Sequence, residues 1–224
     1  MEKMLIVDGN SMLFRAFYAT IYGRPMTTKD GIYTNGVYGF ALMFQKALDM
    51  IAPDYVFVAF DAGKHTFRHE LYKDYKGGRK KAPDELVPQF QMTRDYLDAY
   101  NVAWQEINDI EADDIIGSLS KAHPECEINI LSSDKDLLQI IDLKGLMGDS
   151  ADNIPGVEGI GEKTALKLLN QFSTIENLYD NIDKLKGKTQ QKLIDGKDAA
   201  FLSKQLATIN TDVKLDLDLS LIHI

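Results

Sequence analysis

The chain has 224 residues, enough for one full core and a smaller satellite, and its 45% hydrophobic content is that of an ordinary soluble globule. Cys126 is the only cysteine, which excludes an intrachain disulfide, and Met4 to Val7 is far too short an apolar run for a signal or membrane segment, so a cytoplasmic protein without a membrane partner is expected. The net charge of -9, from 25 basic and 34 acidic residues, argues as a whole against a nucleic-acid binder, but its distribution argues the other way.

Leu5-Ile6-Val7 reads as a buried parallel strand ending in Asp8-Gly9-Asn10, with a helix soon after. A helical stretch over 37–51 leads to a second strand over 55–60, which ends in Asp61-Ala62-Gly63. Residues 63–81 then carry Lys64, Arg68, Lys73, Lys76, Arg79, Lys80 and Lys81 against only Glu70 and Asp74. Phe67, Leu71 and Tyr75 recur at helical spacing there until Gly77-Gly78 breaks it. After a helix over 85–100 comes a weaker strand at Val102-Ala103-Trp104. Glu111-Ala112-Asp113-Asp114 follows, opening a helix whose apolar face is Ile115, Ile116 and Leu119. Ile128 to Leu131 is the last strand of the set and runs into Asp134-Lys135-Asp136. Strands alternating with helices predict an α/β fold, a mostly parallel sheet with helices on both faces.

Ligands of such sheets collect beyond the carboxyl ends of the strands. Any one aspartate there is adequately explained as turn chemistry, and acids in a first helical turn as caps that match the helix dipole. Three strand-end aspartates converging with an acidic helix start are different, because so many like charges repel unless a cation joins them. Carboxylate-rich, His- and Cys-poor surroundings favour Mg²⁺ over zinc. Bases interleaved with aromatics over 64–81 suit a surface that tracks a polyanion, whereas a solvated basic loop is the plainer alternative.

Past residue 142 two helical pieces flank Gly156-Val157-Glu158-Gly159-Ile160-Gly161. Gly156 and Gly161 have P-loop spacing, but Glu162 stands where the lysine belongs, so a nucleotide loop is rejected. A glycine-rich turn opening a helix with Lys163 and Lys167 still offers backbone N–H groups to an anion such as a DNA phosphate. The chain then reads as helical to about Ile209. Val213, Leu215, Leu217, Leu219 and Leu221 alternate with polar residues, as a terminal strand or extended exit would.

These stretches, together with Phe67-Arg68, Tyr75-Lys76-Gly77-Gly78-Arg79 and Gly148-Asp149-Ser150-Ala151-Asp152-Asn153, resemble the 5′ nuclease domain of bacterial DNA polymerase I and its stand-alone relatives, the flap endonucleases. The resemblance implies a nuclease core over 1–141 with a helical, basic arch at about 63–100. It also implies a helical duplex-binding region over 142–224 with a helix-hairpin-helix-like turn at 156–161. Two or more Mg²⁺ or Mn²⁺ ions would be held, directly or through water, by Asp8, Asp61, Glu111, Asp113, Asp114, Asp134, Asp136, Asp149 and Asp152. Setting those nine acids aside leaves the rest equal in number to the 25 bases. Lys76 and Arg79 would steer the scissile phosphate, Tyr75 would stack on the 5′ strand, and Arg15 and Arg68 would hold phosphates. Gly156, Gly159, Gly161 and Lys163 would grip the duplex, with K⁺ at the turn. Implied partners are branched or nicked DNA and RNA primers on DNA, with a polymerase attached or separate, the nuclease itself being a monomer.

The resemblance breaks at one point. Relatives have several tens of residues where Ile141 here runs straight into Asp142. A single helix from Asp136 to Asp149 would set the two about 20 Å apart, too far to share a metal cluster. The expectation is therefore that a stretch belongs between Ile141 and Asp142; without it Asp149 and Asp152 would not share the cluster. Competing functions are a PIN-like ribonuclease, which lacks a use for the glycine turn, a non-catalytic junction binder, which lacks a use for the full acid set, and a small-molecule phosphatase, which lacks a use for the arch.

Overall fold

The first apolar run becomes β1 (Lys3–Asp8), the second β2 (Tyr55–Asp61), with β3 (Ala103–Ile107) and β4 (Glu127–Leu131) completing a wholly parallel sheet in the order β3-β2-β1-β4. The computed structural model describes every residue except 24, 25, 64, 134–136, 138, 139, 216, 218–221, 223 and 224. It divides into one unit of residues 1–64, 81–134 and 210–224 and another of residues 65–80 and 135–209. Residues 65–80 thus group with the helical unit, and 210–224 with the sheet.

In the first unit, α1 (Gly9–Thr20) and α2 (Asn35–Ile51) follow β1 directly. The short α3 (Phe67–Leu71) belongs to the other unit, and α4 (Val87–Ala99) returns to this one. Leu5, Val7, Val56, Val58 and Phe60 share a core with Met12, Leu13, Phe17, Phe40, Phe44 and Leu97, which places α1, α2 and α4 on one face of the sheet. The alternate strand residues Met4, Ile6, Phe57 and Ala59 are equally buried and by alternation face the other side. There α5 (Ala112–Ala122) crosses from the β3 edge to the β4 edge, packing on β1 and β2. That crossover carries the acidic helix start toward the carboxyl ends of the central strands. Gly9 has to be glycine: a Cβ would sit 2.4 Å from the Phe60 ring, so only a bare backbone lets the first turn of α1 lie against the end of β2.

The terminal strand predicted after Val213 does not form among the described residues; Leu219 and Leu221 lie outside them. The chain at 210–213 is instead laid along α5. Ser118 Oγ donates to the Asn210 carbonyl at 3.1 Å and accepts from Val213 N at 3.0 Å. With its backbone groups engaged by α5, this piece has no need of a sheet edge.

The second unit is α6 (Ile141–Met147), α7 (Glu162–Phe172), α8 (Ile175–Asp180), α9 (Lys188–Asp195) and α10 (Lys197–Ala207) around Leu146, Val157, Leu168, Phe172, Leu178 and Leu193. Lys204 on α10 joins Asp142 at 2.8 Å and Glu176 at 2.7 Å, and Asp142 also accepts from the first amide of α8, Ile175 N, at 3.0 Å. The ammonium holds the Glu176 carboxyl below its ordinary value. Burial pulls Lys204 down, but Asp142 and Glu176 raise it overall. The Glu176 contribution to stability is therefore present above the ordinary carboxylate range and lost as pH falls through the depressed value. The Lys204 contribution is lost as pH rises through a value above 10.5. Lys204→Met should cost about 1 kcal/mol at pH 7 and flatten the acid limb of a melting-temperature profile, read by circular dichroism.

Candidate active site

Asp8 closes β1 and caps α1, its Oδ1 accepting from Ser11 N at 2.9 Å. Parallel register sets Val7 beside Leu131, so the residue just past the end of β4, Ser132, stands next to Asp8 and donates its hydroxyl to Oδ2 at 2.9 Å. Asp61 ends β2, two residues beyond Ala59, the partner of Asp8. Its Oδ1 accepts from Ala112 N at 2.8 Å, one of the amides a helix start leaves without an internal partner, and its Oδ2 accepts from Asn10 Nδ2 at 2.9 Å. Asp61 thus ties the start of α5 to the start of α1.

Glu111 is the N-cap of α5 and Asp113 and Asp114 fill its first turn, as expected. Glu111 is 4% exposed and Asp114 fully buried, while Asp113 is half-buried. Asp114 has a second duty: it accepts from Asn210 N at 2.7 Å and from Glu111 N at 3.5 Å, holding both the helix cap and the returning tail. Arg15 is exposed, with Nη1 3.3 Å from Ser133 Oγ. Asp134 and Asp136 lie outside the described residues.

The other expected site residues fall in the second unit. Asp152, 3% exposed, is ion-paired with Arg79, whose Nε donates at 3.0 Å. Asp149 meets Lys144 at 2.7 Å; burial raises its carboxyl, but Lys144 and the Ala151 amide bring it below the ordinary range. The Lys76 ammonium lies 5.1 Å from the centre of the Tyr75 ring, and Lys76 itself has φ 54°.

Two expectations are corrected. Tyr75 is 3% exposed and packs with Ile154, Leu206 and Ala207, so its ring is core and offers no face to a base. Arg68 is 1% exposed and donates to the carbonyls of Leu206 at 3.0 Å and Thr208 at 2.9 Å, so it pins the end of α10 and cannot reach a phosphate. The helical part of the basic segment is also shorter than its spacing implied: it stops at Leu71, because Tyr72 turns to extended backbone.

In the glycine turn, Gly156 has φ +63° and a Cβ there would lie 2.2 Å from Gly148 N, which only glycine avoids. Gly156 N donates to the buried Ser203 hydroxyl at 2.9 Å and Val157 N to the Leu146 carbonyl at 2.8 Å. Lys192 donates to the Gly159 carbonyl at 3.0 Å. Gly161 caps α7, so the Glu162 and Lys163 amides of its first turn are the ones placed to meet an anion.

Among the described residues, no three acidic, His or Cys side chains form a ready-made metal clasp. The donor chemistry nevertheless fits a hard, hydrated cation. The strand ends offer carboxylates, a serine hydroxyl and, on Asn10, a buried amide oxygen with no hydrogen-bond partner. Mg²⁺ keeps several waters and needs few direct protein oxygens.

Residues 3–180 match the family described as 5'-3' exonuclease, N-terminal resolvase-like domain. The chain belongs to the 5'-3' exonuclease family. Residues 137–224 match the companion 5'-3' exonuclease, C-terminal SAM fold. The chain is 44% identical to DNA polymerase I of Bacillus subtilis (strain 168) over 259 residues, covering 98% of this chain and 29% of that protein. It thus spans 29% of that relative's length, and the aligned 259 residues outnumber the 224 here, so the relative carries residues with no counterpart, as the resemblance implied. A solved T5 5'-exonuclease with bound divalent metal ions (zinc) shares this chain's fold at TM-score 0.75 and 23% identity, covering 94% of this chain and 90% of that one. The bacteriophage T5 flap endonuclease, in a pseudo-enzyme-product complex with DNA and metal ions, matches at TM-score 0.73 and 22% identity with the same coverage. Asn10, Ser11 and Ser132 belong to the strand-end hydrogen-bond set although no sequence motif marks them for it. Their only signal is position, immediately beyond an apolar run.

Proposed function

We propose that this chain is a divalent-metal-dependent 5′ nuclease that hydrolyses phosphodiester bonds where single-stranded DNA meets duplex, in 5′-flapped, nicked or RNA-primed DNA. The observation that carries the reading is the linkage of Asp8 and Asp61, at the carboxyl ends of adjacent strands, to the acidic start of α5 through the Asp61 to Ala112 hydrogen bond. The metal ions bound in the T5 relatives support it.

Bound Mg²⁺ or Mn²⁺, as two or more ions, would supply a hydroxide at neutral pH and relieve charge on the attacking and leaving oxygens. Asp8, Asp61, Glu111, Asp113 and Asp114, with Asp134 and Asp136, would hold it, directly or through water, and Asp149 and Asp152 complete the acids assigned to metal by resemblance. By the same resemblance, Lys76 and Arg79 would supply positive charge to the scissile phosphate. Arg15 is exposed to take a neighbouring phosphate, and the turn 156–161 with Lys163 would offer amides to the duplex backbone, with K⁺ at the turn by the same resemblance. The reading includes an attached or separate polymerase, a monomeric nuclease and a cytoplasmic setting.

Incubation with 5′-flap DNA and Mg²⁺, products resolved on a denaturing gel, tests it. The chain should cut near the junction only with metal, and Asp113→Asn should slow cutting on the order of 10³-fold, the worth of several kcal/mol of transition-state stabilisation. No metal-stimulated cutting, or an Asp113→Asn rate equal to wild type, overturns it.

A further inference from the structure

Asn10 stands at the second position of α1 with its amide divided between two tasks. Nδ2 donates to Asp61 Oδ2 at 2.9 Å. A carboxylate only accepts, so this bond fixes which end of the amide faces Asp61. The other end, Oδ1, is buried and has no hydrogen-bond partner in the protein. A buried acceptor left without a donor is disfavoured, and a fold keeps one where something outside the chain supplies the donor. The strand-end surroundings name the chemistry of that donor: Asp8 and Asp61 frame α1, and water polarised by a divalent cation is a strong donor next to such carboxylates.

We infer that Asn10 is a positioning residue for the metal centre, holding the Asp61 carboxylate through Nδ2 and accepting through Oδ1 from water bound to the divalent ion. The inference rests on the nuclease reading above and assigns to it a neutral residue that no acid count reveals. A partner behind the directly binding groups commonly changes metal affinity 10- to 100-fold when removed. Asn10 also lies one residue from Gly9, whose lack of a Cβ lets this turn approach Phe60, the residue before Asp61.

Titration of the whole chain with Mn²⁺ by calorimetry, without DNA, tests the assignment. Asn10→Ala should weaken the Mn²⁺ Kd about 10-fold. Its metal-free melting temperature should equal or exceed that of wild type, because the orphaned acceptor goes together with the bond to Asp61. Asn10→Ser, which disturbs packing less, should show the same pair of effects in smaller measure. A purely structural asparagine would give the opposite pattern, with a lower metal-free melting temperature and unchanged Mn²⁺ affinity, and that result overturns the inference while leaving the nuclease reading intact. If the wild-type chain binds no Mn²⁺, the nuclease reading falls and takes this inference with it.

Discussion

Asp61→Asn is expected to lower metal-dependent 5′-flap cutting on the order of 10³-fold while leaving the melting temperature close to that of wild type. Both carboxylate oxygens of Asp61 face donors, Ala112 N at 2.8 Å and Asn10 Nδ2 at 2.9 Å. An asparagine keeps one oxygen for the Ala112 amide and turns an NH₂ toward Asn10. Asn10 answers by flipping its own amide, because its Oδ1 has no partner to lose. The hydrogen bonds are thereby conserved and only the negative charge is removed, so the fold should lose no more than about 1 kcal/mol. Single-turnover cutting and a thermal melt on the same sample separate the two effects. A variant that cuts within tenfold of wild type at saturating Mg²⁺ would remove Asp61 from the metal-holding set.

Arg68→Met should be the most damaging substitution for stability, at about 3 kcal/mol. The two carbonyls that Arg68 satisfies, Leu206 and Thr208, lie at the end of α10, where a helix leaves its acceptors without internal partners and its dipole is negative. The guanidinium also covers the Phe67 ring, its carbon 4.6 Å from the centroid. Methionine fills much of the space but leaves the buried Leu206 carbonyl without its Arg68 donor and the Thr208 carbonyl to solvent. Urea unfolding followed by circular dichroism measures the loss. DNA affinity of the folded variant, measured in Ca²⁺ at low temperature, should stay within about twofold of wild type; a phosphate contact removed from Arg68 would instead flatten the salt dependence of binding by one charge.

The contrast between these two residues shows where local sequence information ends. Asp61 is legible because an apolar strand must stop where it stops, and in a parallel sheet that end is where ligands gather. Arg68 sits in a stretch whose bases and aromatics would look the same on a solvated arm as beneath a helix end. Its partners, 138 and 140 residues away in sequence, decide between the two, and no window of neighbouring residues contains them. Tyr75 was misplaced for the same reason, its packing neighbours Ile154, Leu206 and Ala207 being equally remote.

The sequence by itself determined the strands of β1, β2 and β4, helices over 37–51 and 85–100 that the structure bounds at 35–51 and 87–99, the acidic start of α5 and the glycine turn, because each is written in a periodicity or turn preference spanning some ten residues. It also determined the family, through motifs in fixed order. Only the tertiary structure decided what each polar side chain does. It gave Asp114 a structural bond to Asn210, 96 residues on, buried Arg68 and Tyr75, and set Asn10 with Nδ2 on Asp61 and a buried Oδ1 that no protein group meets. Periodicity reports which face of an element is apolar; the hydrogen-bond partner of a buried group is fixed only when distant segments close around it, since an unpaired polar atom is costly and the whole fold settles which ones are paired.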